Sequence, residues 1–81
     1  MRLSVLLFAR ARELARTSRA EVEVPESASV ADIRDALLQI HPELTTLSSS
    51  LLWAVNNAYV TLDHLVVSSD EVACFPPVSG G

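Results

Sequence analysis

The chain has 81 residues and one cysteine, Cys74, so it can form one small domain and cannot form an internal disulfide. Its basic residues are six arginines, and with ten acidic residues the formal net charge is −4, which argues against a nucleic acid ligand. No segment reads as a secretory leader or a membrane span, which together with the free thiol predicts a cytoplasmic protein that does not bind membranes.

The first part of the chain predicts a buried strand followed by a short helix. Within residues 2–8, Leu3, Val5 and Leu7 alternate onto one face, and the far end of the segment is apolar on both faces, as in a central strand. Residues 9–16 are mostly good helix formers, so we predict a short first helix or turn there.

The next segments predict an edge strand and the main helix. Residues 19–24 alternate between apolar and charged side chains, which is typical of a strand with one face in water. Ser29 is a candidate N-cap with Asp32 three residues later, and Pro42 ends the helix. Leu44 and Leu47 are expected to fold under the sheet. The predicted apolar stripe of this helix consists of Val30, Ile33, Leu37 and Ile40.

The second half of the chain predicts three short strands. Residues 51–55 and 59–62 flank the pair Asn56-Asn57, which can adopt positive φ without glycine and indicates a hairpin, and residues 71–75 form the last strand. The element order, with one main helix between strands, predicts an α+β fold. The β-grasp matches it: a mixed sheet of four or five strands, the first and last parallel at its centre, with the helix packed across.

The C-terminal residues carry the clearest functional signal. Both glycines of the chain, Gly80 and Gly81, stand at its end, where they make a thin backbone with an uncrowded carboxylate. Two prolines before them favour extended geometry, so we predict a domain over residues 1–75 and an extended tail over residues 76–81. A frayed end or a sequence boundary is the alternative reading of the terminus alone. The predicted tail consists of Pro76, Pro77, Val78, Ser79, Gly80 and Gly81.

Several sequence blocks carry a family resemblance that covers nearly the whole chain. The blocks are Val5-Leu6-Leu7-Phe8-Ala9, Arg12-Glu13-Leu14, Ala54-Val55-Asn56, Asp70-Glu71-Val72-Ala73 and Phe75-Pro76-Pro77-Val78-Ser79-Gly80-Gly81. In these blocks the chain resembles the small subunit of molybdopterin synthase, a member of the ubiquitin-like sulfur carriers.

The resemblance implies a carrier whose chemistry takes place on other proteins. An activating enzyme would adenylate the Gly81 carboxylate with ATP, and a sulfur donor protein would convert it to a thiocarboxylate. The tail would then enter the large synthase subunit, in a heterotetrameric complex, and give its sulfur to cyclic pyranopterin monophosphate to form the molybdopterin dithiolene. The catalytic residues are expected on the large subunit, and no metal or cofactor is expected on this chain.

Two departures from the family pattern concern structure rather than the reactive end. Ser69 stands where the family usually has a turn glycine, which would cost about 1 kcal/mol if its φ is positive. Cys74 stands where an apolar, often aromatic residue is common, and a lone cysteine in an apolar strand is expected to be a packed thiol rather than a nucleophile paired with His64.

Phe8 and Phe75 end the two strands expected to lie side by side, so we predict that they form an exposed aromatic patch for the partner, against the alternative that both are core. Three alternatives to the molybdopterin role stay open at this point. The chain could carry sulfur for thiazole synthesis, act as a ubiquitin-like modifier, or be an inert binding module with a chance tail.

Overall fold

A computed structural model describes residues 1–77, and the predicted tail residues Val78, Ser79, Gly80 and Gly81 lie outside them. Over this range the chain alternates short strands with two α-helices and a 3-10 helix. The elements are β1 (Arg2–Leu7), α1 (Ala9–Ala15), β2 (Arg19–Glu23), α2 (Val30–Ile40), the 3-10 helix (Pro42–Leu47), β3 (Leu52–Val55), β4 (Ala58–Val60) and β5 (Val72–Phe75).

The five strands form one mixed sheet in the order β2-β1-β5-β3-β4. β1 and β5 are parallel at its centre, with Leu6 opposite Ala73, and every other neighbouring pair is antiparallel. Strand β2 lies at an edge, where its alternating charged residues remain in water. The predicted β-grasp architecture is therefore confirmed, with five strands rather than four.

Helix α2 begins where the sequence predicted. The Ser29 hydroxyl accepts a hydrogen bond from the Asp32 amide at 3.2 Å, and the Asp32 carboxylate accepts one from the Ser29 amide at 3.0 Å. This capping box satisfies two amides that the first helical turn would leave without partners. Within residues 1–77, neither helix has the length and apolar character of a membrane span. The buried residues of α2 are Val30, Ile33 and Leu37.

The prediction that Ile40 completes the buried stripe of α2 is wrong, because 51% of Ile40 is exposed. The helix ends at this residue and the chain turns at once into the 3-10 helix. Leu44, in that 3-10 helix, is fully buried and joins the hydrophobic core with Leu37. Helical periodicity predicted a buried side chain at Ile40, but the buried side chain that follows Leu37 is Leu44.

The β3–β4 hairpin turns at Asn56 and Asn57, whose φ angles of 52° and 69° confirm the predicted left-handed pair. The Asn56 side chain donates to the Asp70 carboxylate and accepts from the Glu71 amide, each at 2.9 Å, so it joins the hairpin to the start of β5. Ser69 is not among the residues with positive φ. The strain considered for a serine at this turn therefore does not arise.

Candidate functional site

Phe8 and Phe75 meet at one end of the sheet, as predicted. Leu7 pairs with Cys74 in the parallel ladder, so Phe8 and Phe75, which follow them, lie side by side at the end of the sheet. The two rings stack with centroids 5.2 Å apart and an interplanar angle of 27°. Phe8 is 41% exposed and Phe75 is half-buried, so the pair is a surface feature and not ordinary core.

A third aromatic residue, Tyr59, completes what we call the aromatic cluster: Phe8, Tyr59 and Phe75. The Tyr59 ring meets Phe75 edge to face at 6.0 Å, and 76% of the residue is exposed. Sequence reasoning missed Tyr59, although the Asn56-Asn57 turn would have indicated it. A two-residue hairpin pairs Tyr59 with Ala54, and strand alternation then assigns Tyr59 to the uncovered face of the sheet.

The aromatic cluster lies where the chain leaves the sheet toward its C-terminus. Strand β5 ends at Phe75, and the next two residues are the half-buried Pro76 and the exposed Pro77. The reactive group predicted at Gly81 lies four residues beyond Pro77, outside the described part of the chain. The roles of the tail residues and the domain boundary after residue 75 stay predictions.

Cys74 is fully buried in β5, as expected of a packed thiol. Burial raises the pKa of the Cys74 thiol from its ordinary value of 9.0 to about 12, because the apolar core disfavours the thiolate. The thiolate is the nucleophilic form of cysteine, so this residue is a poor nucleophile near neutral pH. Within residues 1–77, no three His, Cys, Asp or Glu side chains are grouped so that they could hold a metal ion.

Replacing Cys74 by alanine should leave intact the sulfur transfer that the family resemblance implies, and should lower the free energy of unfolding by about 1–2 kcal/mol through a small cavity. In the native chain, stability should fall as pH rises from about 9 toward 12, because the unfolded thiol loses its proton first while the folded one keeps it. Urea unfolding of the native chain and the Cys74→Ala variant over this pH range measures the loss of stability in the variant and the pH dependence in the native chain, which the variant should lack. Loss of sulfur transfer in a folded Cys74→Ala protein would contradict the structural role.

Negative charge dominates the second half of the chain. Residues 35–81 contain five acidic side chains and neither arginine nor lysine. Hydrogen bonds from the Val67 amide and then from Asn56 lower the pKa of Asp70, and a hydrogen bond from the Thr61 hydroxyl lowers that of Asp63. These carboxylates stay ionised at neutral pH, and a basic partner surface would complement them.

Residues 5–81 match the ThiS family, in a match that continues through the terminal glycines. The chain belongs to the ThiS family. It is 37% identical over 79 residues to the molybdopterin synthase sulfur carrier subunit of Arabidopsis thaliana, covering 98% of this chain and 82% of that protein. It is 38% identical over 81 residues to the subunit of the same name from Escherichia coli K12, with 98% and 99% covered. The resemblance stated from the sequence motifs is confirmed.

Solved structures also resemble this ThiS-family chain. The crystal structure of SAMP1 from Haloferax volcanii superposes with a TM-score of 0.89 at 31% identity, over the whole of both chains. A putative molybdopterin converting factor subunit 1 from Pyrococcus furiosus gives a TM-score of 0.84 at 31% identity, with 96% of this chain and 99% of that chain covered. These likenesses support the β-grasp assignment independently of the strand order.

Proposed function

We propose that this ThiS-family chain is the sulfur carrier subunit of a molybdopterin synthase and that the Gly81 carboxylate is its reactive group. The observation that carries the proposal is the family match through residue 81, which includes the Gly80-Gly81 pair. The names of the curated relatives, matched over nearly the whole chain, support the same role. The geometry is consistent with it, because an aromatic surface flanks the place where the chain leaves the sheet.

The chemistry begins with activation of the Gly81 carboxylate, which is a poor electrophile. An activating enzyme joins it to the AMP portion of ATP and releases pyrophosphate, which gives the acyl carbon a good leaving group. Sulfur at the oxidation level of sulfide, supplied by a sulfur donor protein, then attacks the acyl carbon and displaces AMP, which leaves a thiocarboxylate. The thiocarboxylate sulfur is a softer and stronger nucleophile than a carboxylate oxygen, and it attacks a carbon of cyclic pyranopterin monophosphate in the large subunit.

In this proposal the other proteins catalyse each step, so the chain is a cosubstrate rather than a catalyst. Its buried thiol is a poor nucleophile, and its reactive terminus has to enter the sites of two other proteins in turn. In this proposal the large subunit docks on the aromatic cluster, where Phe8 and Tyr59 offer exposed apolar area beside Phe75. The tail then extends from the docked surface into the partner, and two carriers acting in turn build the dithiolene.

The direct test is to incubate the purified chain with ATP, its activating enzyme and a sulfur donor, and then measure its intact mass. We expect the mass change of one oxygen replaced by sulfur at the C-terminus. Addition of the large subunit and cyclic pyranopterin monophosphate should then yield molybdopterin and return the carrier to its carboxylate form. A carrier that is thiocarboxylated but gives no molybdopterin would point to another sulfur acceptor, such as the thiazole precursor of thiamine.

Phe75→Ala should weaken binding to the large subunit by more than about 1 kcal/mol, because a half-buried ring in the centre of an interface acts as an anchor. Isothermal titration calorimetry measures this effect. Ile40→Ala is the matched control, since Ile40 is 51% exposed on α2 and lies outside the aromatic cluster. Equal affinities for the Phe75→Ala variant and the native chain would remove Phe75 from the interface.

Protein modification is the second candidate function, and the likeness to SAMP1, a small archaeal modifier protein, favours it. The same activated Gly81 carboxylate would then be transferred to an amine of another protein. The chain contains no lysine, so it could not form lysine-linked chains on itself. Mass spectrometry of host proteins digested with a glutamate-specific protease separates the two functions, because modification would leave residues 72–81 of this chain, which follow Glu71, on lysines of other proteins.

A further inference from the structure

A second feature of the sheet surface is a pocket that the aromatic cluster partly lines. Strand alternation turns Leu3, Val5 and Leu7 toward α2, so the intervening residues of the central strands lie on the uncovered face. There Ala73 of β5 pairs with Leu6 of β1 on one side and with Ala54 of β3 on the other. The small alanine side chains leave a depression of about 230 Å³.

The pocket combines aromatic and acidic walls. All three residues of the aromatic cluster line it, together with the polar residues Asn57 and Glu71. The Glu71 backbone is held by its hydrogen bond to Asn56, while its side chain is exposed. Among residues 1–77, no arginine, histidine or amino terminus lies within ion-pair distance of the Glu71 carboxylate.

The size and charge of the pocket indicate what it binds. Small-molecule sites usually measure roughly 300–1,000 Å³, so about 230 Å³ fits one protein side chain better than a cofactor or metabolite. Aromatic faces and a carboxylate together attract a cation. Arginine suits this set best, because its planar guanidinium stacks on aromatic rings and also forks onto a carboxylate.

We propose that this pocket receives an arginine side chain of the partner protein that covers the sheet, with its guanidinium against the aromatic cluster and bonded to Glu71. Charge complementarity supports a basic occupant, because residues 35–81 carry five acidic side chains and neither lysine nor arginine. Arg2 and Arg19 line a neighbouring depression with Glu71, but Arg2 pairs with Glu23 and neither arginine lies within ion-pair distance of the Glu71 carboxylate. The inference rests on the proposed function only where it takes the large synthase subunit as that partner. The arginine pocket adds a charged specificity contact to an otherwise apolar docking surface.

The first experiment needs no partner protein. The isotopically labelled chain is titrated with the acetylated and amidated peptide Gly-Gly-Arg-Gly-Gly, and separately with the same peptide carrying citrulline, the neutral isostere of arginine. We expect the arginine peptide to shift the amide resonances of Ala54, Ala73 and Glu71 and to bind about fivefold more tightly than the citrulline peptide. Equal binding of the two peptides, or shifts confined to other residues, would overturn the proposal.

Two variants test whether the Glu71 carboxylate is the charge that the arginine peptide recognises. Glu71→Gln keeps the backbone hydrogen bond of Glu71 and should remove the preference for arginine over citrulline. Glu26→Gln is the matched control, because Glu26 is an exposed acid outside the pocket and the variant makes the same change in net charge. Loss of the preference in both variants would show that overall charge, rather than the pocket, attracts the peptide.

The second experiment measures affinity for the large subunit from the same organism. Glu71→Gln should weaken that complex about fivefold more than Glu26→Gln does at low ionic strength. Equal effects of the two variants would overturn the arginine pocket, even if the native chain binds tightly. Failure of the native chain to bind the large subunit, with the peptide preference intact, would count against the proposed function and leave the pocket standing.

Discussion

Deleting Gly81 should abolish ATP-dependent thiocarboxylation while leaving the thermal unfolding of the domain unchanged. The deletion withdraws the terminal carboxylate by about 3.5 Å, and a misplacement of about 1 Å can cost a hundredfold in rate at an active site. A glycine contributes no side chain to a core, so the free energy of unfolding should change by no more than about 0.5 kcal/mol. The measurement is intact mass after incubation with the activating enzyme and sulfur donor.

Gly80→Val separates chain length from backbone shape in the same assay. It keeps the carboxylate at the same distance along the chain but adds a branched Cβ, which a narrow channel in the activating enzyme would have to accept. We expect the Gly80→Val variant, like the Gly81 deletion, to lose most of its adenylation. Normal thiocarboxylation of the chain lacking Gly81 would refute the sulfur carrier function, and a large loss of stability in that variant would show that its terminus is packed.

Leu44→Ala should have the largest effect on stability. Leu44 is fully buried in the core although it belongs to a single short 3-10 helix, and truncating such a leucine costs about 2–5 kcal/mol in lost burial and cavity formation. At roughly 0.05–0.15 kcal/mol per residue, the whole domain is stabilised by about 4–12 kcal/mol. The substitution should therefore remove a large share of the total stability, which urea unfolding measures.

Leu65→Ala is the matched control for Leu44→Ala, because the same side chain is truncated at a site that is 63% exposed. We expect this control to change stability by no more than about 0.5 kcal/mol. A loss below about 1 kcal/mol in Leu44→Ala would mean that the 3-10 helix contributes little to the core. Binding of the large subunit should be retained by any folded Leu44→Ala protein, since Leu44 lies outside the aromatic cluster.

The elements predicted most accurately are those with local signals. The Ser29 and Asp32 side chains mark the start of α2 by capping its own amides, and Asn56-Asn57 marks the hairpin because asparagine tolerates positive φ. Strand β1 was predicted one residue too long. Phe8 is the N-cap of α1, and Ala9 has a positive φ of 53°. Such an angle is usually indicated by a glycine, and the sequence has none there.

The features that were missed depend on contacts between distant segments. The 3-10 helix Pro42–Leu47 has no long apolar period, and it holds its place because Leu44 fills the core beneath the end of α2. Strand β4 ends at Val60 instead of continuing to residue 62, because the chain leaves the β3 ladder after the pair of Trp53 with Val60. Apolar residues alone do not show where a strand loses its partner.

The sequence by itself determined the family of the protein and predicted Gly81 as its reactive residue, since both depend on the order of residues and not on how they pack. It also predicted that Phe8 and Phe75 lie side by side at the ends of the first and last strands, because parallel pairing of these strands is inherent in the β-grasp order; Phe8 itself follows the end of β1. Only the tertiary structure decided that Tyr59 joins them and that Glu71 shares a pocket with all three rings. Those contacts follow from the register between β3, β4 and β5, which is set by packing across the sheet and not by any one segment.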